Sequence, residues 1–150
     1  MTVFHSLNTS ASALTAQRFR MDVISSNLAN ADTTRANFEN GEWQPYRRKM
    51  VEFKPNEGKF SNYLSVAVGN SKSQGQGVKV SAVTEDEAAF KLVYNPSHPD
   101  ANDEGYVQYP NVDPLQEMID LMSATRSYEA NVTALNASKN MLMKALEIGK

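Results

Sequence analysis

Cysteine is absent from this chain of 150 residues. That excludes disulfide staples, thiolate zinc sites, iron–sulfur ligation and a thiol nucleophile. Imidazole is nearly as scarce: only His5 and His98 supply it, so a two-histidine metal site needs distant parts of the chain to meet. No run approaches the ~18 consecutive apolar residues of a membrane span. From Met1 to Gln17 there is neither the basic n-region nor the unbroken apolar stretch of a secretory signal. The expectation is a protein that stays in the cytosol or leaves by a route that reads no such signal. A surplus of one charge is missing too: the net charge is −2, so no overall field draws the chain to nucleic acid or anionic lipid. What remains, 41% hydrophobic and 21% charged, is the composition of a folded chain with one ordinary domain or two small ones.

The charges, glycines and prolines that are present sit unevenly. Residues 1–34 carry only Arg18, Arg20, Asp22 and Asp32, whereas 35–112 hold 19 of the 32 charged residues. Apart from Pro114 and Gly149, every glycine and proline lies between Gly41 and Pro110. The chain therefore reads as helix, irregular middle, helix.

Asp113-Pro114-Leu115-Gln116 is a helix start: an acidic N-cap, proline at the first helical position and glutamine placed to close a capping box. From there to Gly149, positions 118, 121, 125, 128, 132, 135, 139, 142 and 146 alternate steps of three and four, and seven of the nine are apolar. Positions 3, 7, 10, 14, 17, 21, 24, 28 and 31 repeat the pattern at the other end, again with seven apolar. Two seams of one period predict an α+β fold in which long N- and C-terminal helices pair as a coiled-coil-like hairpin around a small β-rich middle. The expected division is 1–34 and 112–150 for the helices and 35–111 for the middle, with a flexible loop at about 55–77. Strands are expected over Glu42–Lys54, Val78–Val83, Ala89–Tyr94 and Tyr106–Tyr109. From Met1 to Gln17 no residue but His5 is acidic or basic, and Ser123 to Ser138 carries only Arg126 and Glu129; the residues flanking the seams there are Ala, Ser, Thr and Asn, as at Ser10-Ala11-Ser12-Ala13. Such a surface suits close approach of further helices.

Catalytic constellations do not emerge. Asp100-Ala-Asn102-Asp-Glu104-Gly105 imitates the start of a calcium loop, but position twelve is Asn111 and Pro96 and Pro99 forbid the entering helix. It reads as a hydrated turn. Glu85-Asp86-Glu87 reads as a charged turn, and Arg47-Arg48-Lys49 as a solvated strand face. No Gly-rich phosphate cradle precedes a helix, and no G-x-S-x-G elbow is present. The residues argue against an enzyme and leave open a self-contained helical-hairpin binding module.

Ser25-Ser26-Asn27-Leu28-Ala29-Asn30-Ala31-Asp32-Thr33-Thr34 resembles the N-terminal signature of the bacterial flagellar axial proteins, which comprise rod, hook and hook-associated components. Glu117-Met118-Ile119-Asp120-Leu121 followed by Arg126-Ser127-Tyr128-Glu129-Ala130-Asn131 resembles their conserved C-terminal end. The stretch from Tyr94 to Asp113, with Pro45 to Lys49 upstream, is similar to the short proximal rod members. The resemblance implies a structural subunit of the basal-body rod, outside the cytoplasmic membrane after export. Its terminal helices would polymerise into a drive shaft that transmits torque and encloses the export channel. It implies no cofactor and no metal. The implied partners are further copies of the chain, other rod proteins (FlgB and the distal rod subunits among them) and the flagellar type III export apparatus, with no nucleic acid and no membrane insertion. The implied assembly residues are Leu14, Met21, Leu28, Leu121, Tyr128, Leu135 and Leu142 of the seams, with the motif polar residues Asn27, Asn30, Arg126 and Asn131.

Overall fold

A computed structural model describes residues 4–39, 41–56 and 77–148. The order is α1 (His5–Ala29), β1 (Asn37–Glu39), β2 (Glu42–Gln44), β3 (Lys49–Pro55), β4 (Val78–Glu85), β5 (Lys91–Tyr94), β6 (Tyr106–Tyr109) and α2 (Pro114–Ile148). This is the expected α+β arrangement of two long helices around a small β-rich middle. The expected loop at about 55–77 falls mostly on residues 57–76, outside those described.

Both helix boundaries follow from side-chain chemistry. Asp113 Oδ1 accepts from Leu115 N at 3.0 Å, satisfying one free first-turn donor of α2, and its carbonyl accepts the first helical bond from Glu117 N at 3.0 Å. Gln116 does not fold back to complete a capping box; its amide reaches forward to Asp120 at 3.5 Å. α1 ends earlier than expected. Asn30 Nδ2 takes the Ser26 carbonyl at 2.9 Å, competing for the acceptor that a continuing helix would use, and the chain turns through Thr33 N to Asn30 O at 3.1 Å.

The chain forms two compact units. The first gathers Met1–Phe19, Glu52–Ala82 and Ala124–Lys150. Ala16 and Ala124 are its buried apolar residues among those described. On its strand segments, burial alternates: Phe53, Val78, Val80 and Ala82 are partly buried while Glu52, Lys79 and Ser81 are exposed. Ser12 Oγ donates to Thr9 O at 2.7 Å and accepts from Val78 N at 3.1 Å, so α1 receives the entry to β4. A side chain at Gly77 (φ +90°) would fall on Ser12, so the small residues of this helix face admit backbone from their own chain.

The second unit gathers Arg20–Val51 and Val83–Ser123. Here the single strand expected over Glu42–Lys54 is two: Pro45 removes a backbone donor, and residues 45–48 lie outside both strands. β1 and β2 form a hairpin with Phe38 opposite Trp43, their rings edge to face at 5.2 Å. The β1 strand, only three residues long, was not anticipated from periodicity. β5 and β6 pair antiparallel with Tyr94 opposite Tyr106, and Val107, Pro110 and Val112 lie buried beside them. β3 pairs with β4; Asp86 N to Arg48 O and Asn56 N to Gly77 O bracket the ladder and show that it is antiparallel.

Gly105 opens β6 at φ +82°, donates to Asn102 O at 2.8 Å and accepts from Asn95 N at 2.9 Å. An added Cβ would lie 2.9 Å from the Tyr94 ring. Gly105→Ala is expected to lower unfolding free energy by about 1–2 kcal/mol in urea titration. A loss below about 0.5 kcal/mol would show that this turn does not hold its left-handed geometry in solution.

Candidate assembly site

Asn27 is the most heavily bonded side chain of the signature. It is 1% exposed, in the last turns of α1. Its amide offers two donor hydrogens and two acceptor lone pairs. Nδ2 donates to Lys49 O at 2.9 Å and to Glu117 Oε2 at 3.0 Å. Oδ1 accepts from Lys49 N at 2.9 Å and from the Tyr46 hydroxyl at 3.0 Å. Every capacity is used, and one amide ties α1 to the start of β3 and to the first turn of α2. Asn30 supports it one turn later by bending the chain, and Thr33 O then accepts from Tyr46 N at 3.1 Å.

Glu117, also 1% exposed, needs this company. Oε2 takes the Asn27 amide and Oε1 takes Arg48 Nε at 2.6 Å. Arg48 further reaches Asp120 at 3.4 Å and Asp86 at 3.7 Å, and Arg20 approaches Asp120 from α1 at 3.3 Å. Burial works against the charge on Arg48, but the Glu117 hydrogen bond and the fields of Glu117, Asp120 and Asp86 outweigh it, raising its pKa above the ordinary arginine value. The expectation of a solvated Arg47–Lys49 strand face is thus overturned. All three residues are partly buried: Arg47 stacks 4.5 Å over the Phe90 ring, Arg48 sits among carboxylates, and Lys49 lies 5.6 Å over the Tyr46 ring.

The segment that imitates a calcium loop is held by hydrogen bonds. Asn102 Oδ1 accepts from Glu104 N at 3.1 Å and Tyr106 N at 2.7 Å, an Asx turn. Asp100 accepts from Arg35 Nε at 2.6 Å and Thr34 Oγ1 at 2.8 Å. The Arg35 bond, aided by Thr34 and the charge of Arg35, lowers the Asp100 pKa. Among the described residues no group of three or more His, Asp or Glu is placed to hold a metal, and no helix is long and apolar enough to cross a membrane.

The remaining residues of the sequence reading divide between the two units. In the second, Met21, Leu28, Asn30 and Leu121 are half-buried. In the first, Leu14, Tyr128, Asn131, Leu135 and Leu142 are half-buried, Arg126 is exposed, and Asn131 Nδ2 donates to Ser127 O at 2.8 Å. Along α2 the inward stripe runs 117, 121, 124, 128, 131, 135, 138, 142. Every second seam position agrees with the expectation and the alternate ones are shifted by one residue. Asn27 has no surface left to offer a neighbour; its role is inside the subunit. Gln17 Oε1 is shielded from solvent without a hydrogen-bond donor among the described residues.

Sequence periodicity missed the opposite face of α2. Leu115, Met118, Ile119 and Met122, spaced i, i+3, i+4, i+7, form an apolar stripe in water, with Leu115 68% and Met122 62% exposed. Met141, Leu146 and Ile148 are likewise exposed toward the end of the helix.

A family model described as flagella basal body rod protein matches residues 7–36, and one described as the C-terminal region of the flagellar basal body rod FlgEFG proteins matches 103–148. The chain is 69% identical to the flagellar basal-body rod protein FlgC of Bacillus subtilis over 150 residues, covering all of both chains. It is 43% identical to FlgC of Escherichia coli O157:H7 over the whole of both chains. With FlgC of Borreliella burgdorferi it shares 42% over 99% of this chain and 98% of that one.

Removing one partner of a buried ion pair strands the other charge, so Arg48→Ala and Glu117→Ala should each cost about 3 kcal/mol in urea unfolding. The double variant should cost at least about 1.5 kcal/mol less than the sum. Coupling below about 0.5 kcal/mol would mean that the two side chains act separately. For Asp100, folding favours the ionised form. The contribution is present above the unfolded carboxylate pKa of about 3.9 and is lost as pH falls through the lower folded value. Carbon-13 NMR of the Asp100 carboxyl should show the depressed value in the native chain and its return toward about 3.9 in Arg35→Gln. An ordinary titration in the native protein would show that the Arg35 tie is not made in solution.

Proposed function

Because the chain belongs to the FlgC family of flagellar basal-body rod proteins, structural subunits that assemble with other components of the rod, we propose that it builds the shaft by burying its exposed apolar helix face against neighbouring subunits. The observation that carries this reading is the stripe Leu115, Met118, Ile119 and Met122. Contiguous apolar surface of this kind marks a contact surface in a chain that stays soluble until it assembles. The wider inventory supports it: among the described residues six hydrophobic side chains are buried, while eighteen large ones are exposed. Each apolar area of 100 Å² taken from water on assembly contributes about 2.5 kcal/mol.

The seam residues Leu14, Met21, Leu28, Leu121, Tyr128, Leu135 and Leu142 supply a second assembly surface, apart from that stripe, since each keeps part of its side chain accessible within the subunit. Asn30, Asn131 and the exposed Arg126 flank it, and a neighbour's donor would satisfy Gln17 Oε1. In this reading residues 1–34 and 112–150 act as the inner axial part and pair as a coiled-coil-like hairpin, and 35–111 lies outside them. The neighbours include FlgB and the distal rod subunits, delivery is by the flagellar type III export apparatus, and the assembled tube carries torque around an export channel. A self-contained binding module has less support, because its own fold would be expected to cover the stripe.

Met118→Glu combined with Met122→Glu should leave monomer stability within about 0.5 kcal/mol, because both side chains already face water. The same variant should abolish swimming and be missing from purified basal bodies, whereas Glu147→Lys should swim normally. Normal motility of the double variant would place the contact on another face.

A further inference from the structure

The near-neutral net charge of the chain conceals a separation of charge. The segments of the second unit carry six cationic residues against thirteen acidic ones, a net of −7. Those of the first unit carry nine cationic against four acidic, a net of +5. The ion pairs sharpen this difference. In the second unit all six cations are engaged internally: Arg20 with Asp120, Arg35 with Asp100, Arg48 with Glu117, Arg47 and Lys49 over aromatic rings, and Lys91 Nζ on Val112 O at 2.8 Å. The carboxylates of Glu85, Glu87, Asp103 and Glu104 are exposed and have no cationic partner among the described residues. In the first unit Lys54, Lys79, Arg126 and Lys139 are exposed and equally without a carboxylate partner. Among the described residues, the unpaired charge that faces solvent is therefore mainly acidic in the second unit and mainly basic in the first.

We propose that neighbouring copies of this chain meet heterologously, the acidic second unit of one copy against the basic first unit of the next. The proposal rests on the rod-subunit reading and adds which surfaces meet. Two copies facing one another through like units would set −7 against −7 or +5 against +5. Such juxtapositions repel and exclude the symmetric pairing, while a head-to-tail contact satisfies both surpluses and propagates. Apolar burial then supplies the adhesion and charge selects the orientation.

The test uses two full-length variants in cells lacking the native gene. One reverses the acidic surface (Glu85→Lys, Glu87→Lys, Asp103→Lys, Glu104→Lys). The other reverses the basic surface (Lys54→Glu, Lys79→Glu, Arg126→Glu, Lys139→Glu). Each alone presents like charges at the proposed contact and should lose swimming and incorporation into purified basal bodies by at least about tenfold. Co-expression lets the altered unit of one variant meet the altered unit of the other, and the unaltered units meet likewise, so both readouts should return to at least half of native. Restoration also shows that both variants fold and reach the rod. Native behaviour of either variant alone, or failure of co-expression to restore, overturns the heterologous charge match. The rod reading is judged separately, by the presence of the native chain in basal bodies purified from cells that express it. If it is present while the variants fail the mixing test, only the charge match falls.

Discussion

An amide has four hydrogen-bonding positions, and the signature helix depends on filling all four at once. Asn27 does so with the backbone of Lys49, the Tyr46 hydroxyl and the Glu117 carboxylate. Aspartate in the same place would bring a second carboxylate to Glu117, and glutamine would move the amide by a methylene. The requirement sets where β3 begins, which turn of α2 faces α1, and how the polypeptide returns after Ala29. Glu117 lies buried only because Asn27 and Arg48 take one oxygen each, so the first turn of α2 is positioned by hydrogen bonds more than by a large apolar core.

This reverses the usual distribution of polarity. Within the second unit the interior holds an asparagine, a glutamate and a guanidinium around a few residues such as Ile24, Val107 and Val112, while leucine and methionine of α2 stand in water. For a lone globule that would be poor use of apolar surface. A subunit whose final environment is other subunits can keep its shape through directional polar bonds and leave its apolar surface for assembly. Hydrogen bonds fix geometry within narrow limits, and apolar contact tolerates the variety of neighbours that a shaft requires.

Much of the architecture could be read from residue order. Asp113-Pro114 marks the start of α2 because capping chemistry is local, and the strand segments beyond Lys49 show the alternation of their burial. Non-local features were less visible. Pro45 divides the Glu42–Lys54 run, but a proline near a strand end does not by itself say which side pairs. Arg48 belongs with Glu117 across 69 positions of sequence, and no spacing rule connects an arginine after a turn to a carboxylate in a distant helix. The α2 seam was read one residue out at alternate positions because Met118 is as apolar as any core residue. The buried residue next to it is a glutamate, which hydrophobic periodicity cannot place inside. Asn27 stood out only through its motif, and the motif carried no hint that its side chain turns inward.

The closing bonds of the second unit join residues very far apart in the chain: 90 positions separate Asn27 from Glu117 and 100 separate Arg20 from Asp120. The β5–β6 and β1–β2 hairpins, by contrast, are closed by short connections and cost little loop entropy. Growing or threaded from its N-terminal end, the chain therefore has its hairpins before it has its keystone. Lys49 O and Asp86 are in place earlier, but the carboxylate that Asn27 and Arg48 share, Glu117, arrives only after more than three-quarters of the polypeptide. Until then Asn27 is fastened only to Tyr46 and Lys49, and the unit is completed only when its last helix appears.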